Sequence, residues 1–275
     1  MRIINILKED EIVKLVFELD DGLLIENCYL PGKFVCLSSQ AGCLLNCKFC
    51  YTGKCGFARN LTSEELIKQI ELTYELSPIP RFETLSFSGM GEPLLNLDNV
   101  ILAMKYIKEN YDCCIAISTT GIVDKFDTLF GCGIDFALDL SLHASSDAVR
   151  NKLMPINKKY GVAGVIDEVF KWVSTRNMPW FFVDYMLLKG VNDSEEDLQC
   201  LIELLKGRNA VVELKYYNVK GEDGMFEPSD EMKLKHFRHM LLKNGIGVHL
   251  EKSKGQNIGA GCGQMVWESR KDKID

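Results

Sequence analysis

Residues 36–50, CLSSQAGCLLNCKFC, carry the spacing around which the rest of the chain is organised. Within this stretch Cys43, Cys47 and Cys50 follow a C-x3-C-x2-C pattern. Thiolates are soft ligands that suit iron–sulfur clusters. Three of them on one short loop can bind three irons of a [4Fe-4S] cluster and leave the fourth iron open. The loop must turn tightly to aim its sulfurs inward, and Gly42 ahead of the first cysteine relieves that crowding.

Two plainer interpretations of the three cysteines stay open at this point. Zinc is also held by thiolates, but it normally takes a fourth Cys or His ligand at a recognisable spacing. After Cys50 only Cys55 follows closely. Free cysteines are also common core residues, so three buried thiols without a metal are the second alternative. The spacing favours the cluster over both.

Length and composition describe an ordinary globular protein. The 275 residues suffice for one large α/β domain or two small ones, and 47% are hydrophobic and 26% charged. No apolar run reaches the length of a membrane span, and residues 1–5 are no signal peptide. Eleven cysteines without a secretory signal indicate a reducing compartment, so we expect a cytoplasmic protein with no membrane partner. The net charge of −7 means that any basic face for nucleic acid must be local.

From Phe34 onward the pattern alternates between strand and helix. The predicted strands are 34–38, 84–88, 114–119, 135–142, 181–188 and 211–217. The predicted helices are 62–76, 97–109, 123–130, 162–175, 195–206 and 230–244, with Thr62 and Glu65 as a capping box at the start of the first. Six β/α units in series imply the α/β class and an incomplete (β/α)6 barrel with a parallel sheet.

The sequence divides into three predicted parts. Residues 1–33 form a short N-terminal β extension around the turn Asp20-Asp21-Gly22. Residues 34–250 form the barrel core. Residues 251–275, called the tail below, carry Cys262.

Polar and glycine-containing motifs follow several of the predicted strands. Taken singly, most such residues are turns, caps or core residues. In barrels of this kind, however, the active site lies at the carboxyl ends of the strands. We therefore expect the following to surround one ligand-sized opening, called the mouth below: Gly91, Glu92, Ser118, Ser141, Leu142, His143 and Asn218.

With these motifs assembled, the chain resembles one family closely. The cysteine spacing is the signature of radical S-adenosylmethionine (SAM) enzymes. Within them the chain resembles the adenine methyltransferases that act on large-subunit ribosomal RNA and transfer RNA at adenine C2, with antibiotic-resistance relatives that act at C8. The C-terminal Cys262-Gly263-Gln264, joined to the cysteine loop, makes the resemblance specific. The matching stretches are 36–50, 56–62, 89–96, 118–121, 141–144, 154–160, 190–193, 217–218 and 255–264.

The resemblance implies a definite mechanism. The family transfers a methyl group to its C-terminal cysteine, here Cys262. A second SAM, reduced by the cluster, yields a 5′-deoxyadenosyl radical that takes hydrogen from this S-methyl group, and the carbon radical then adds to the adenine ring. A base, matched by Glu26, removes the ring proton. Cys36 finally attacks the sulfur of Cys262, forming a disulfide and releasing the methylated product.

The resemblance also implies the cofactors and partners. Cys43, Cys47 and Cys50 would hold a [4Fe-4S] cluster whose open iron binds SAM, and the residues around the mouth would contact SAM. RNA is the expected substrate, and a flavodoxin or ferredoxin the expected reductant. The family usually carries an N-terminal helical domain that helps to grip RNA, whereas this sequence begins almost directly at the catalytic unit. RNA contact would then fall to local basic residues: Lys33, Lys48, Lys54, Arg59, Lys158, Lys159, Lys252 and Lys254.

Two alternative functions remain on the sequence alone. One is the same cysteine relay acting on a small molecule, a nucleotide or a peptide. The other is a zinc- or cluster-binding protein without catalysis. The remaining cysteines are expected to serve packing only: Cys28, Cys55, Cys113, Cys114, Cys132 and Cys200.

Overall fold

A computed structural model describes residues 1–176, 178, 180–219, 226–251 and 254–265 of the chain. The strands are β1 (Arg2–Glu9), β2 (Ile12–Glu18), β3 (Leu24–Leu30), β4 (Phe34–Cys36), β5 (Gln40–Gly42), β6 (Phe57–Asn60), β7 (Thr84–Phe87), β8 (Cys114–Thr119), β9 (Ala137–Ser141), β10 (Phe181–Leu187), β11 (Ala210–Tyr216) and β12 (Gly247–Glu251). The α-helices are α1 (Tyr51–Lys54), α2 (Ser63–Leu76), α3 (Leu97–Asn110), α4 (Phe126–Phe130), α5 (Asp147–Leu153), α6 (Asn157–Tyr160), α7 (Val162–Thr175), α8 (Glu195–Leu205) and α9 (Glu231–Lys243). Short 3-10 helices cover Pro93–Asn96 and Val123–Lys125.

The described strands form one large sheet and one small hairpin. Ten strands pair in the order β1-β2-β3-β4-β7-β8-β9-β10-β11-β12. Strands β1 to β4 pair antiparallel, and every neighbouring pair from β4 to β12 is parallel. Parallel neighbours require crossover connections, which the helices supply. The predicted α/β class with an incomplete parallel barrel and an N-terminal β extension is confirmed.

Strands β9 and β11 show why the barrel has an apolar outer layer and a polar interior. Their buried residues join the main hydrophobic core beneath the helices: Leu138, Leu140, Val212 and Leu214. The residues that alternate with these are polar and half-buried: Asp139, Ser141, Glu213 and Lys215. Because successive side chains of a strand point to opposite faces, the polar set faces the barrel interior.

Side-chain caps fix the start of two long helices. The Thr62 hydroxyl accepts a hydrogen bond from the Glu65 amide at 3.2 Å, and the Glu65 carboxylate accepts one from the Thr62 amide at 2.9 Å. This is the predicted capping box. Ser194 and Asp197 form a second box at the start of α8. An N-cap of this kind contributes about 1 kcal/mol to stability.

All predicted strands and helices are present, with small shifts at their ends. The sequence interpretation missed the hairpin β5–β6, the short helices α1, α5 and α6, and the final strand β12. Residues 1–33 continue the same sheet as the barrel, and β12 ends at Glu251. The three-part division at residues 33 and 250 therefore stays a prediction. Among the described helices, none is both long and apolar enough to cross a membrane.

Candidate active site

The cysteine loop, residues 37–50, is held in a tight turn by the β5–β6 hairpin. Gly42 has a φ of +86°, and a Cβ on it would lie 2.1 Å from the Gly56 carbonyl oxygen. The position therefore requires glycine. The Cys43 amide donates to that same carbonyl at 2.9 Å, and the Cys50 amide donates to the Cys47 carbonyl at 3.0 Å. These bonds direct the loop back on itself.

The three loop thiols converge. Burial raises the pKa of Cys43 to about 12, and the nearby Cys50 adds to the rise. Burial likewise raises the pKa of Cys47, with contributions from Cys50 and Cys43. Three soft donors close enough to influence one another form a set that fits the cysteine ligands of a [4Fe-4S] cluster, whose irons stabilise thiolates. In the described part of the chain, no group of three His, Cys, Asp or Glu side chains is already arranged to hold a single metal ion. The ligand assignment therefore stays a proposal.

Glu92 lies behind the mouth and ties two strand ends together. Its carboxylate accepts hydrogen bonds from the Thr119 hydroxyl at 2.6 Å and from the amide and hydroxyl of Thr120, both at 2.9 Å. Burial raises the pKa of Glu92, and these bonds oppose the rise. Its own amide donates to Gln40 Oε1 at 2.9 Å. Glu92 thus joins the end of β8 to the cysteine loop, and a contact with SAM would add to this role.

His143 is buried and links the end of β9 to the cysteine loop. Its Nδ1 accepts a hydrogen bond from the Met186 amide at 3.2 Å, which requires that nitrogen to be unprotonated. Burial, with the charges of Lys215 and Arg150, lowers the pKa of His143 to about 3. The ring packs edge-on against Phe49 at 4.9 Å between centroids. His143 is therefore a neutral wall of the mouth.

Arg150 is a buried residue that the sequence interpretation missed. Its guanidinium donates to the carbonyls of Leu142, Thr120 and Ser141 at 2.9, 2.7 and 3.0 Å. It also donates to Asn157 Oδ1 at 2.9 Å. Arg150 thereby holds the ends of β8 and β9 together. An arginine at the centre of a short helix gave no signal in the sequence, because three of its four partners are backbone carbonyls.

The other predicted SAM contacts lie at strand ends as expected. Ser118 and Ser141 are half-buried on β8 and β9, and their hydroxyl oxygens are 3.5 Å apart. Leu142 is buried behind them. Asn218 follows β11, where its Oδ1 accepts from Gln256 at 2.7 Å and its amide nitrogen approaches the Cys262 carbonyl at 3.4 Å. Their contacts with SAM stay predictions.

The described part of the tail, residues 254–265, crosses the mouth. At one end the Asn257 amide donates to Glu9 Oε2 of β1 at 2.9 Å. At the other end the Gly263 carbonyl accepts from the Tyr51 amide, next to Cys50, at 2.8 Å. The tail therefore joins the N-terminal strands to the cysteine loop. Residues 252–253 and 266–275, with the predicted basic residue Lys252, lie outside the described structure.

The tail places Cys262 within reach of the charge of Cys36, an arrangement that the predicted relay would need. Cys262 is exposed to solvent, and the protein groups near it still remove part of the hydration of its thiol. Lys215 lowers the pKa of Cys262, while burial, Glu251, Asp184 and Cys36 raise it, and the net result is about 12. Cys36 is half-buried, and its pKa is lowered mainly by a hydrogen bond from Cys28. The two relay cysteines therefore lie within electrostatic range of each other.

A cluster of charges around largely buried Lys215, which acts on Cys262, was also missed in the sequence. Lys215 Nζ lies 2.9 Å from Asp184 Oδ1, 3.4 Å from Glu213 Oε2 and 3.1 Å from Glu251 Oε2. These side chains come from β10, β11 and β12. The available signal was the alternation of Glu213 and Lys215 with apolar residues on one strand. It could not be used without knowing which strands are neighbours.

Glu26, the predicted base, is buried in an ion pair. Its Oε1 lies 3.0 Å from Lys14 Nζ, and the two side chains are 5% and 1% exposed. Lys14 also approaches the Gly259 carbonyl of the tail at 3.5 Å. Glu26 is therefore not a surface carboxylate, because its side chain is almost fully buried against Lys14 of β2. Its role as a base stays a prediction.

The predicted basic residues are not all available to RNA. Arg59 forms ion pairs with Asp21 at 2.7 Å and Glu65 at 2.8 Å. Lys33 pairs with Glu83, and Lys159 with Asp124. Four further lysines of the predicted set are exposed: Lys48, Lys54, Lys158 and Lys254.

Comparisons with known proteins agree with this geometry. A family model described as the radical SAM superfamily matches residues 37–201. The dual-specificity RNA methyltransferase RlmN of Campylobacter hominis is 37% identical and covers 95% of this chain and 79% of its own length. RlmN of Buchnera aphidicola is 38% identical and covers 94% of this chain and 74% of its own length.

Solved structures give the same picture. A radical SAM methyltransferase from Sphaerobacter thermophilus superposes with a TM-score of 0.88 at 28% identity, covering 96% of this chain and 80% of that one. Streptococcus suis SuiB bound to SAM superposes with a TM-score of 0.61 at 13% identity, covering 81% of this chain and 51% of its own. That second likeness is one of fold alone.

Proposed function

The chain belongs to the radical SAM superfamily and, within it, to the RlmN family of RNA methyltransferases, and from this premise we propose that it methylates an adenine carbon, C2 or C8, in RNA. The family's cofactors are a [4Fe-4S] cluster and SAM. The proposal assigns the cluster to Cys43, Cys47 and Cys50. It assigns the methyl carrier to Cys262 and the resolving thiol to Cys36.

One observation carries the proposal. The tail holds a cysteine outside the cluster motif, Cys262, whose pKa responds to the charge of Cys36, and the next residue, Gly263, accepts a hydrogen bond from the Tyr51 amide beside Cys50. A methyl carrier must reach SAM at the cluster, then the substrate, then the resolving thiol. A zinc site or a set of packing cysteines gives no reason for this arrangement.

When bound, the cluster and SAM supply the methyl group and a hydrogen-abstracting radical, chemistry that no side chain can perform. The chain's own residues prepare and finish the reaction. The positive charge of Lys215 opposes the rise of the Cys262 pKa to about 12 and is the group that favours the thiolate form needed to accept methyl. Glu26, fixed by Lys14, would take the ring proton of the methylated adenine. The thiolate of Cys36, favoured by the hydrogen bond from Cys28, would then attack the sulfur of Cys262.

The proposal also concerns the substrate and the electron donor. RlmN relatives are named as RNA methyltransferases, and exposed Lys48 and Lys54 supply local positive charge for RNA. A flavodoxin or ferredoxin would supply the electron for the cluster. Mass spectrometry of total RNA from cells with and without the protein tests the substrate, because a missing methyladenosine would identify it.

The relay has its own test. Protein made in cells should carry one added methyl group on the peptide that contains Cys262. The variant Cys262→Ala should lack this mark and still bind its cluster. The variant Cys36→Ala should be methylated and then accumulate a covalent adduct with RNA that survives denaturation. Absence of both the methyl mark and the adduct would overturn the relay.

A further inference from the structure

Cys28, assigned to packing from the sequence, lies directly beside the resolving cysteine. Strands β3 and β4 pair antiparallel, and Cys28 is the register partner of Cys36. Residues opposite each other on such strands have Cα atoms about 4.5–5.5 Å apart, within the range of about 4.4–6.8 Å found in disulfides. Cys28 is buried in the main core, so the packing role is confirmed. Its position also permits a disulfide bond with Cys36.

The tail lies against the same thiol. Cys28 Sγ lies 3.7 Å from the carbonyl oxygen of Ala260, two residues before the methyl carrier. The charge of Cys262 also acts on Cys28, as does that of Lys14. The structure therefore gathers three thiols, those of Cys28, Cys36 and Cys262, outside the cluster motif.

We propose that Cys28 is a third catalytic cysteine, which opens the Cys36–Cys262 disulfide left by each turnover and so frees Cys262 for the next methylation. This inference rests on the proposed function, because only the relay creates that disulfide. The sequence offered a signal for this pair, because Cys28 and Cys36 lie on either side of the Pro31-Gly32 turn and a turn can bring two such residues together.

The step is a balanced thiol–disulfide exchange. The Cys28 thiolate attacks the sulfur of Cys36, a Cys28–Cys36 bond forms, and the Cys36–Cys262 bond breaks. Cys262 leaves as a thiolate and takes up a proton equivalent to the one that Cys28 lost, so the protein is neither oxidised nor reduced. An external dithiol then reduces the new bond and is itself oxidised to a disulfide. Half-buried Cys36 offers the accessible sulfur for that attack.

The environment of Cys28 suits an order of events in which it acts last. In the reduced enzyme the hydrogen bond that Cys28 gives to Cys36 is the largest cause of its raised pKa, followed by burial. Once the sulfur of Cys36 is bonded to Cys262, it can no longer be a thiolate that accepts this bond. Lys14, which lowers the pKa of Cys28, stays in place. Cys28 therefore becomes a better nucleophile when the disulfide to be opened exists.

The main experiment is disulfide mapping after one round of reaction. Anaerobic protein with its cluster and methylated Cys262 is mixed with SAM, a non-thiol reductant and total RNA from cells lacking the protein. It is then quenched with an alkylating agent and digested without reduction. Wild type should yield a Cys28–Cys36 bridge and alkylated Cys262, whereas Cys28→Ser should retain Cys36–Cys262. Methylated RNA together with a persistent Cys36–Cys262 bridge in the wild type would overturn this inference and leave the proposed function intact.

A second measurement compares the rate of the first turnover with the rate of later turnovers. With limiting dithiol, later turnovers of Cys28→Ser and Cys28→Ala should each be about tenfold slower than the first turnover of the same variant, whereas wild type should show no such drop, because in the variants an external thiol must replace one held in contact. Cys113→Ser is the matched control, because Cys113 precedes the amino end of β8, whereas Cys36 lies at the carboxyl end of β4, and it should change neither phase. Thermal melting checks that the Cys28 variants fold. Equal steady-state rates in folded Cys28 variants and wild type would contradict the proposal.

A substrate-free arm works even if the RNA assignment fails. Cys262→Ala treated anaerobically with one equivalent of diamide, a two-electron thiol oxidant, should form the Cys28–Cys36 bridge. If Cys28 and Cys36 stay separately alkylated, the two thiols cannot pair and the inference is wrong. If this bridge forms but wild type does not methylate RNA, the proposed function is wrong and the inference about Cys28 and Cys36 is not.

Discussion

Lys215 carries a positive charge inside the barrel, where its side chain is 13% exposed and contacts three carboxylates. Moving a charge out of water is costly unless partners replace the lost hydration. Lys215 and Asp184 compensate each other for the lost hydration, because their charged atoms lie 2.9 Å apart. Removing one member of such a pair leaves the other charge buried and uncompensated.

The variant Lys215→Met tests this pairing. We expect its free energy of unfolding near neutral pH to fall by about 3–5 kcal/mol, the usual cost of breaking a buried pair. Methylation of Cys262 should also slow, because Lys215 is the group that lowers its pKa. Denaturant titration and mass spectrometry of the Cys262 peptide measure the two effects. Lys215→Arg keeps the charge and should recover most of the methylation rate; unchanged stability in Lys215→Met would contradict the pairing.

Asp139 makes the stability of the folded protein depend on pH. Burial, followed by the charge of Asp184, raises its pKa from 3.8 to about 7. The folded state therefore binds more protons than the unfolded chain between these values, so the contribution of Asp139 to stability is present at low pH and is lost as pH rises through about 7. Asp139→Asn should remove this contribution, on the order of 1–3 kcal/mol at about 1.4 kcal/mol per pKa unit after allowance for partial exposure. Unfolding titrations at several pH values measure it, and an identical pH slope in variant and wild type would refute the assignment.

At the scale of elements, the cysteine loop depends on its contact with the loop after β7. Gly91 has a φ of +100°, and a Cβ there would meet Cβ and Cγ of Gln40 at 2.6 and 2.7 Å. The Gln40 side chain in turn receives the Glu92 amide. The two loops therefore fit together only with glycine at position 91.

Gly91→Ala is expected to damage that fit, and Gly133→Ala is its matched control. Both positions have positive φ, but nothing lies within 4 Å of a Cβ at Gly133. The control should cost about 1 kcal/mol from backbone strain alone, and Gly91→Ala about 2–4 kcal/mol from strain and overlap. Iron content and SAM binding should fall only for Gly91→Ala. Equal losses in the two variants would show that the loop contact is unimportant.

Sequence patterns predicted elements better than they predicted contacts. Alternating and helical periodicity located the barrel strands and long helices because one face of each is apolar. Strand β12 was missed although Val248 and Leu250 alternate with exposed His249 and Glu251, because a pattern of five residues is too short to stand out. The partners of Arg150 and Lys215 could not be predicted, because they are backbone carbonyls or residues on strands that become neighbours only in the folded sheet. Cys36 and Cys262 were predicted to meet only through the family resemblance.

At the scale of the whole molecule, the distribution of charge is unfavourable for binding a polyanion such as RNA. The net charge is −7, the barrel interior holds several carboxylates, and Arg59 and Lys33 near the mouth are engaged by acids. RNA must therefore be attracted by a small number of exposed lysines. Few phosphate contacts imply modest affinity and a modest dependence on salt.

Binding of RNA at increasing salt tests this distribution of charge. The slope of log affinity against log salt should be about −0.7 to −0.9 for each phosphate that a lysine or arginine neutralises. The double variant Lys48→Ala with Lys54→Ala should weaken binding and reduce the slope by about one to two units. Lys105→Ala removes one exposed charge from helix α3, in the outer layer, and should leave the slope unchanged. An unchanged slope in the double variant would place the RNA on another surface. Binding that ignores salt in the wild type would favour a small, uncharged substrate, because counterion release is unavoidable when a polyanion binds.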